Sequence, residues 1–195
     1  MTGRTVAAIV LSAGASRRMG QPKALLTLPD GVTFAEAISR TARAAGVLHV
    51  CFVLGPPHGD EIRARLPAGA ATAWNPDPGR GMLSSVQVGI AAMQHSADAA
   101  LIWPIDQPLV TPATVRALLA APAGSIALPI GGGAGGHPLL VPRDFYAAVL
   151  RLPGERGLRG LLEDEAGRVS RIPVGDPGAV TDFDTPKDYA RLGSD

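Results

Sequence analysis

Short apolar runs alternate along the chain with stretches whose apolar positions fall on one helical face. Thr5–Leu11 (TVAAIVL) is almost uninterrupted, as a strand covered on both faces should be. TFAEAISRTARAA follows as a helix, with Thr33 and Glu36 at capping-box spacing and Phe34, Ala37, Ile38 and Ala45 along one side. Gly46 ends it. Val47–Leu54 is a second buried strand, and GDEIRARL after it places acids first and arginines last, the order a helix dipole favours. Ala70–Trp74 reads as a third strand, MLSSVQVGIAAMQ as a helix and Ala99–Ile105 as a fourth strand. Thr111 and Pro112 open the helix TPATVRALLA as N-cap and first helical residue. Two short strands, SIALPI and PLLVP, flank GGGAGGH. PRDFYAAVLRL and GLRGLLEDE read as helices, VSRIPV and AVTDF as late strands, and TPKDYARL as a closing helix.

Strands alternating with helices predict an α/β fold built on a mostly parallel, doubly wound sheet with right-handed crossovers. No repeat and no linker divides the chain, so residues 1–195 are read as one domain. A chain of this length buries roughly 70% of its unfolded surface and needs no disulfide or metal staple.

Composition narrows the function. At 46% hydrophobic and 18% charged, the chain is globular rather than disordered. A net charge of +1 and 4% aromatic residues argue against a nucleic-acid partner, which calls for a basic field or stacking platforms. No apolar stretch approaches the ~20 residues of a membrane span. The N-terminal apolar run is short, has Arg4 as its basic flank, and reads as a core strand rather than a signal peptide. The lone cysteine, Cys51, sits inside an apolar strand and fits a reducing compartment. The expected location is therefore the cytoplasm.

Ligands of open α/β sheets sit beyond the carboxyl ends of the strands, so the segments that follow each strand carry the candidate chemistry. After the first strand comes SAGASRRMGQPK. Gly14 permits either close backbone approach to a ligand or a positive φ, and Arg17, Arg18 and Lys23 can neutralise a polyphosphate. Neither the Walker A spacing nor Gly-x-Gly-x-x-Gly is present in this loop. After the third strand, Asn75, Gly79, Arg80 and Gly81 precede a helix with Ser84 and Ser85 in its first turn, suited either to an anion or to ordinary capping. After the fourth strand, Asp106 stands between Pro104 and Pro108, where a rigid carboxylate can hold Mg²⁺ above phosphates. Near the end, Asp184 either faces a metal or braces the helix starting at Thr185. Arg156 and Arg159 are either anion contacts or exposed helix residues. Gly131–His137 is read as a flexible loop on the substrate side, with no metal-ligand partner at a standard spacing from His137.

LSAGASRRMGQPK resembles the signature Leu-x-x-Gly-x-x-x-Arg-Met-Gly-x-x-Lys of MobA-like nucleotidyltransferases, through Leu11, Gly14, Arg18, Met19, Gly20 and Lys23. NPDPGRGMLSSVQVGI, PIDQPLVTP, GHPLLVP and DFDTPKDY resemble further segments of that superfamily, in order and over nearly the whole chain. Within it, the chain is most similar to the molybdenum cofactor cytidylyltransferase (MocA-type) branch. Ser12-Ala13-Gly14 is close to that branch's Ala-Ala-Gly, where the guanylyl branch has Ala-Gly-Gly. GERGLRGLL is similar to its Gly-Asp-x-Gly-Ala-Arg segment, with Glu155 and Leu158 as departures.

The resemblance implies a three-layer Rossmann-like fold and transfer of CMP from CTP to the phosphate of molybdopterin. Guanylyl transfer and a sugar or polyol phosphate acceptor are the alternatives. It implies Mg²⁺ or Mn²⁺ as cofactor, and a molybdoenzyme apoprotein or its maturation chaperone as recipient. Arg18, Lys23 and Asp106 are the implied catalytic residues. Leu11, Ser12, Ala13, Gly14, Arg18, Lys23, Asn75 and Ser84 are implied at the nucleotide, Asp106 and Asp184 at the metal, and Gly136 and His137 on the pterin side.

Overall fold

The computed structural model describes residues 4–193. Residues 1–3 and 194–195 of the expected domain lie outside the described residues. Strand β1 (Val6–Leu11) pairs in parallel with β2 (His49–Leu54) on one side and β4 (Ala99–Pro104) on the other, and β3 (Ala71–Trp74) extends the sheet from β2. Beyond β4 the sheet changes character. β7 (Leu139–Pro142) runs antiparallel to β4 and to β5 (Ile126–Gly131), which also pairs with β6 (Ala134–Gly135) and, in parallel, with β8 (Val169–Pro173). The order is β3-β2-β1-β4-β7-β5-β6, with β8 also on β5. β1, β2, β3, β4, β5 and β8 share one direction, so the sheet is mostly parallel, as the alternating pattern predicts.

Successive strand residues point to opposite faces, and each face has its own core. Ala8, Val10, Phe52, Leu54, Leu101 and Trp103 face α1 (Phe34–Ala44) and α4 (Pro112–Leu119). Ile9, Val53, Ala100 and Ile102 face α3 (Met82–Met93), α5 (Tyr146–Arg151) and α6 (Gly157–Asp164). Three layers result. Two short helices, α2 (Gly59–Ala64) and α7 (Pro186–Ala190), complete the chain. The α1 capping box is present: Thr33 Oγ1 accepts from Glu36 N at 3.2 Å and Glu36 Oε2 from Thr33 N at 2.9 Å. α3 packs against the sheet at Gly89, where a Cβ would overlap Ile9 Cγ2.

Two expectations change. Ala179–Phe183 (AVTDF) is not a strand. Pro177–Ala179 is a 3-10 turn, held by the Asp176 carboxylate, which accepts hydrogen bonds from Gly178 N, Thr111 N, Thr111 Oγ1 and Thr114 Oγ1. Phe183 then donates its N–H to Asp106 O rather than to a strand. The segment Gly131–His137 is not one flexible loop either. Gly132 (φ +57°) and Gly133 (φ +84°) make a tight reversal from β5 into β6, and Gly136 is packed so closely that a Cβ would overlap Ala179 O.

Candidate functional site

The carboxyl ends of β1 and β4 open into a cleft of about 310 Å³. The loop leaving β1 forms one wall. It is anchored in the core at Met19 and Ala24, 6% and 1% exposed, so Arg17 and Arg18 stay exposed beside Met19 while Lys23 is held within the cleft. Its turn closes on Ser16, whose carbonyl accepts from Met19 N and Gly20 N at 3.0 Å and whose Oγ accepts from Lys23 N at 3.3 Å. Ser16 takes a left-handed φ of +48°. Gly14 does not use a positive φ. A Cβ there would stand in open space, so its bare backbone is what leaves room for a ligand.

Arg18, Lys23, Asp106 and Asp184 meet in the cleft from three separate parts of the chain. Lys23 Nζ donates to Asp106 Oδ2 at 2.9 Å and to Asp184 Oδ1, and Arg18 Nη2 donates to Asp184 Oδ2 at 2.9 Å. The Lys23 side chain is 12% exposed. Burial works against its charge, but the charges and hydrogen bonds of Asp106 and Asp184 outweigh burial and raise its pKa above the ordinary lysine value. Asp184 is held below the usual carboxylate range, first by its hydrogen bond from Lys23.

This donor set fits a divalent cation that arrives with phosphate. Two carboxylates already converge on one cationic centre, and Mg²⁺ binds one or two carboxylates while taking its remaining ligands from water and phosphate oxygens. No cluster of three His, Cys, Asp or Glu side chains suited to a metal occurs among the described residues.

The opposite wall is the N-terminus of α3. Gly81 is its N-cap at φ +94°, with no side chain capping the first N–H groups, and Met82 and Ser85 line the cleft. Asn75 and Ser84, expected at the ligand, serve the wall instead. Asn75 is buried and donates through Nδ2 to Ser84 Oγ and Ser85 Oγ, both at 2.9 Å, while Ser84 Oγ donates back to Gly81 O at 2.7 Å. Ser85, one position round the helix, is the serine that faces the cleft. Leu11, Ser12 and Ala13 lie at its floor. The Ser12 hydroxyl is buried and has no hydrogen-bond partner among the described residues.

Gly136 and His137 are not part of the cleft lining. Their N–H groups bond Pro129 O and Ala179 O at 2.9 Å. Burial lowers the His137 pKa below its ordinary value, against the opposing pull of the Ile102 carbonyl, Asp182 and Asp106. Arg156, just before α6, is bound to Asp164 and Arg159 to Glu163, so both cations are paired with acids of α6. Ser16 and Met82 line the cleft without having been singled out in the sequence. A serine in the left-handed region leaves no composition signal, and an exposed Met in a first helical turn reads like any other apolar residue.

Residues 8–169 match the family model described as the MobA-like NTP transferase domain. The molybdenum cofactor cytidylyltransferase of Escherichia coli (strain K12) is 26% identical over 183 residues, 93% of this chain and 92% of that protein. Nicotine blue oxidoreductase of Paenarthrobacter nicotinovorans is 31% identical, with 96% of each chain covered. Among solved structures, Rv0371c of Mycobacterium tuberculosis H37Rv is similar at TM-score 0.86 and 31% identity over all of both chains. A structure of Rv0371c in complex with manganese is similar at TM-score 0.78 and 29% identity, covering 96% of this chain and 97% of that one.

Proposed function

The chain belongs to the MobA-like NTP transferase family, and from that premise we propose that it transfers CMP from CTP to the terminal phosphate of molybdopterin, releasing pyrophosphate. The observation that carries this reading is the convergence of Arg18 and Lys23 with Asp106 and Asp184 in one cleft at the ends of β1 and β4. The relative from E. coli, named as a molybdenum cofactor cytidylyltransferase, supports the choice of base and acceptor.

The chemistry needs positioning and charge more than proton transfer. The acceptor's terminal phosphate is ionised at neutral pH, so no general base is required. One of its oxygens forms a bond to the α-phosphorus of CTP, the α–β bridging bond breaks, and pyrophosphate leaves with the electron pair. Arg18 and Lys23 neutralise the phosphates, and the bare backbone at Gly14 lets them approach the loop. Leu11, Ser12 and Ala13 form the floor beneath the base. Asp106 and Asp184 hold Mg²⁺ or Mn²⁺, which supplies positive charge to the phosphate oxygens when bound. The manganese complex of the similar Rv0371c supports a divalent cation as cofactor. Gly136 and His137, outside the cleft lining, are assigned to the acceptor side, with burial lowering the His137 pKa below its ordinary value.

The test presents the whole chain with purified molybdopterin, Mg²⁺ and each nucleoside triphosphate in turn, and follows pyrophosphate. CTP-dependent release is expected, and Asp106→Ala abolishes it while the fold survives. Turnover with GTP and none with CTP overturns the choice of base. Release confined to a sugar or polyol phosphate overturns the acceptor. The oxidoreductase name of the relative at 31% identity favours a second reading, which consumption of NADH or NADPH without CTP would support.

A further inference from the structure

Asp106 and Asp184 come from distant parts of the chain, yet both reach the Lys23 ammonium. Like charges do not stay together unaided, and the pairing with Lys23 is available only while that side chain is not engaged by phosphate. A scaffold beneath the two carboxylates would present them to the incoming cation already convergent when a nucleotide arrives.

The residue after Asp106 is locked from several directions. Gln107 is 3% exposed, its N–H bonds Pro104 O at 3.3 Å, and its carbonyl accepts from the indole Nε1 of Trp103 at 3.0 Å. Trp103 itself is fully buried in the core. The turn carrying Asp106 is therefore fastened to β4. From this fixed base the Gln107 amide Nε2 donates to Asp182 Oδ1 at 2.5 Å, two residues before Asp184. Between them, Phe183 N donates to Asp106 O at 3.0 Å, and the Phe183 ring packs edge-on to Phe34 with centroids 5.8 Å apart. The backbone bond and the Gln107–Asp182 bond join the two segments directly beside the carboxylates, while the bonds of Asp176 to Thr111 and Thr114 tie them farther away.

We infer that Gln107 and Asp182 are positioning residues, whose mutual hydrogen bond holds the turn of Asp106 against the segment of Asp184 so that both carboxylates serve one cation. Neither side chain lines the cleft. The inference rests on the nucleotidyl-transfer reading above. Outer partners of this kind typically account for about 10–100-fold in metal affinity.

The experiment titrates Mn²⁺ into the whole chain with CTP present, reading free Mn²⁺ by electron paramagnetic resonance, with thermal melts run in parallel. Asp182→Ala removes the acceptor, and Gln107→Glu sets two carboxylates against each other. Both are expected to weaken Mn²⁺ binding by about 10–100-fold. Asp182→Asn keeps an acceptor oxygen and stays near the wild type. The double variant Gln107→Glu/Asp182→Asn restores the bond with donor and acceptor exchanged, and is expected to recover most of the affinity lost in Gln107→Glu. Unchanged Mn²⁺ affinity in folded Gln107→Glu and Asp182→Ala overturns the inference, as does a folded double variant without recovery. If Asp182→Ala does not fold, the comparison of Gln107→Glu with the double variant decides. A wild-type chain that takes up no Mn²⁺ with CTP overturns the nucleotidyl-transfer reading and this inference together. Wild-type binding that the variants leave untouched overturns only this inference.

Discussion

Lys23→Met separates what the ammonium does for the fold from the catalytic role that the proposed reading gives it. Methionine keeps an unbranched side chain one heavy atom shorter and removes its charge. In the wild type, Lys23 is 12% exposed and lies between Asp106 and Asp184, themselves 22% and 34% exposed. Without it, the two carboxylates that shared one ammonium face each other, and a like-charged pair at ~5 Å repels by about 3 kcal/mol at an effective dielectric near 20. Water reaches both groups and Arg18 still pairs with Asp184, while the variant is spared the cost of burying an ammonium. The net destabilisation expected at neutral pH is about 1 kcal/mol, which lowers Tm by about 2–4 °C for a chain of this size. Loss of a group that stabilises transition-state charge costs far more, about 10²–10³-fold in kcat.

The pH dependence gives the sign. Asp184 has a folded pKa below its ordinary value, so its contribution is fully present above the ordinary carboxylate pKa and is lost as pH falls through the folded one. Lys23 has a raised folded pKa, so its contribution is present below the ordinary lysine pKa and is lost as pH rises through the folded value. The Tm gap between wild type and Lys23→Met is therefore widest between these limits and closes toward acid and strong alkali. Melts across pH, with pyrophosphate release at neutral pH, check both parts. A variant keeping more than about a tenth of wild-type turnover would refute the catalytic assignment. A Tm gap of constant size down to the acid limit would refute the electrostatic one.

Other sites give sharper stability tests. Gly89→Ala gains about 1 kcal/mol of helix propensity, but its Cβ meets Ile9 Cγ2 at 2.2 Å and Val53 Cγ2 at 3.0 Å. The overpacking cost of about 1–3 kcal/mol wins, so the urea midpoint falls and KM for nucleotide rises as α3 is pushed off the sheet. Asp176→Ala strands the donors of Thr111, Thr114 and Gly178 and is expected to cost about 3 kcal/mol in chemical denaturation. Burial opposes the charge of Asp176, but those donors prevail and hold its pKa low, so the stability gap narrows in acid as the native carboxylate protonates. Cys51 has its thiol pushed up to about 11 by burial, so a disulfide reagent at pH 8 labels it at the rate of opening and not at the rate of a free thiol.

The elements legible in the sequence are those whose cause is local. The Thr33 and Thr111 caps, the apolar strands β1, β2 and β4, and the Gly46 stop each depend on neighbours within a few residues. Reading AVTDF as a strand failed because the decisive partners lie far away: Asp176 is committed to the first turn of α4, and Phe183 N–H to Asp106 O. GGGAGG hid a hairpin for a similar reason, since β6 exists only through its pairing with β5. In the site, the same division holds. Lys23 and Asp106 stand out at the ends of strands, and the structure brings them within 2.9 Å. That Ser85 and not Ser84 lines the cleft follows from the helix phase set at Gly81, which no spacing in the sequence displays.

Charge then explains why the cleft carries both signs. Arg17, Arg18 and Lys23 against Asp106 and Asp184 leave a single net positive charge among these residues. A purely basic loop would neutralise a triphosphate more completely, but it would also hold the pyrophosphate it releases. On the proposed reading, the carboxylates engage Lys23 and Arg18 before substrate arrives, and a divalent cation must enter with the phosphates to compensate them when those pairings open. Nucleotide affinity is then steeply dependent on divalent cation rather than on the loop's cations alone. When pyrophosphate leaves, Asp106 and Asp184 reclaim Lys23, which returns the loop to the arrangement seen in this structure.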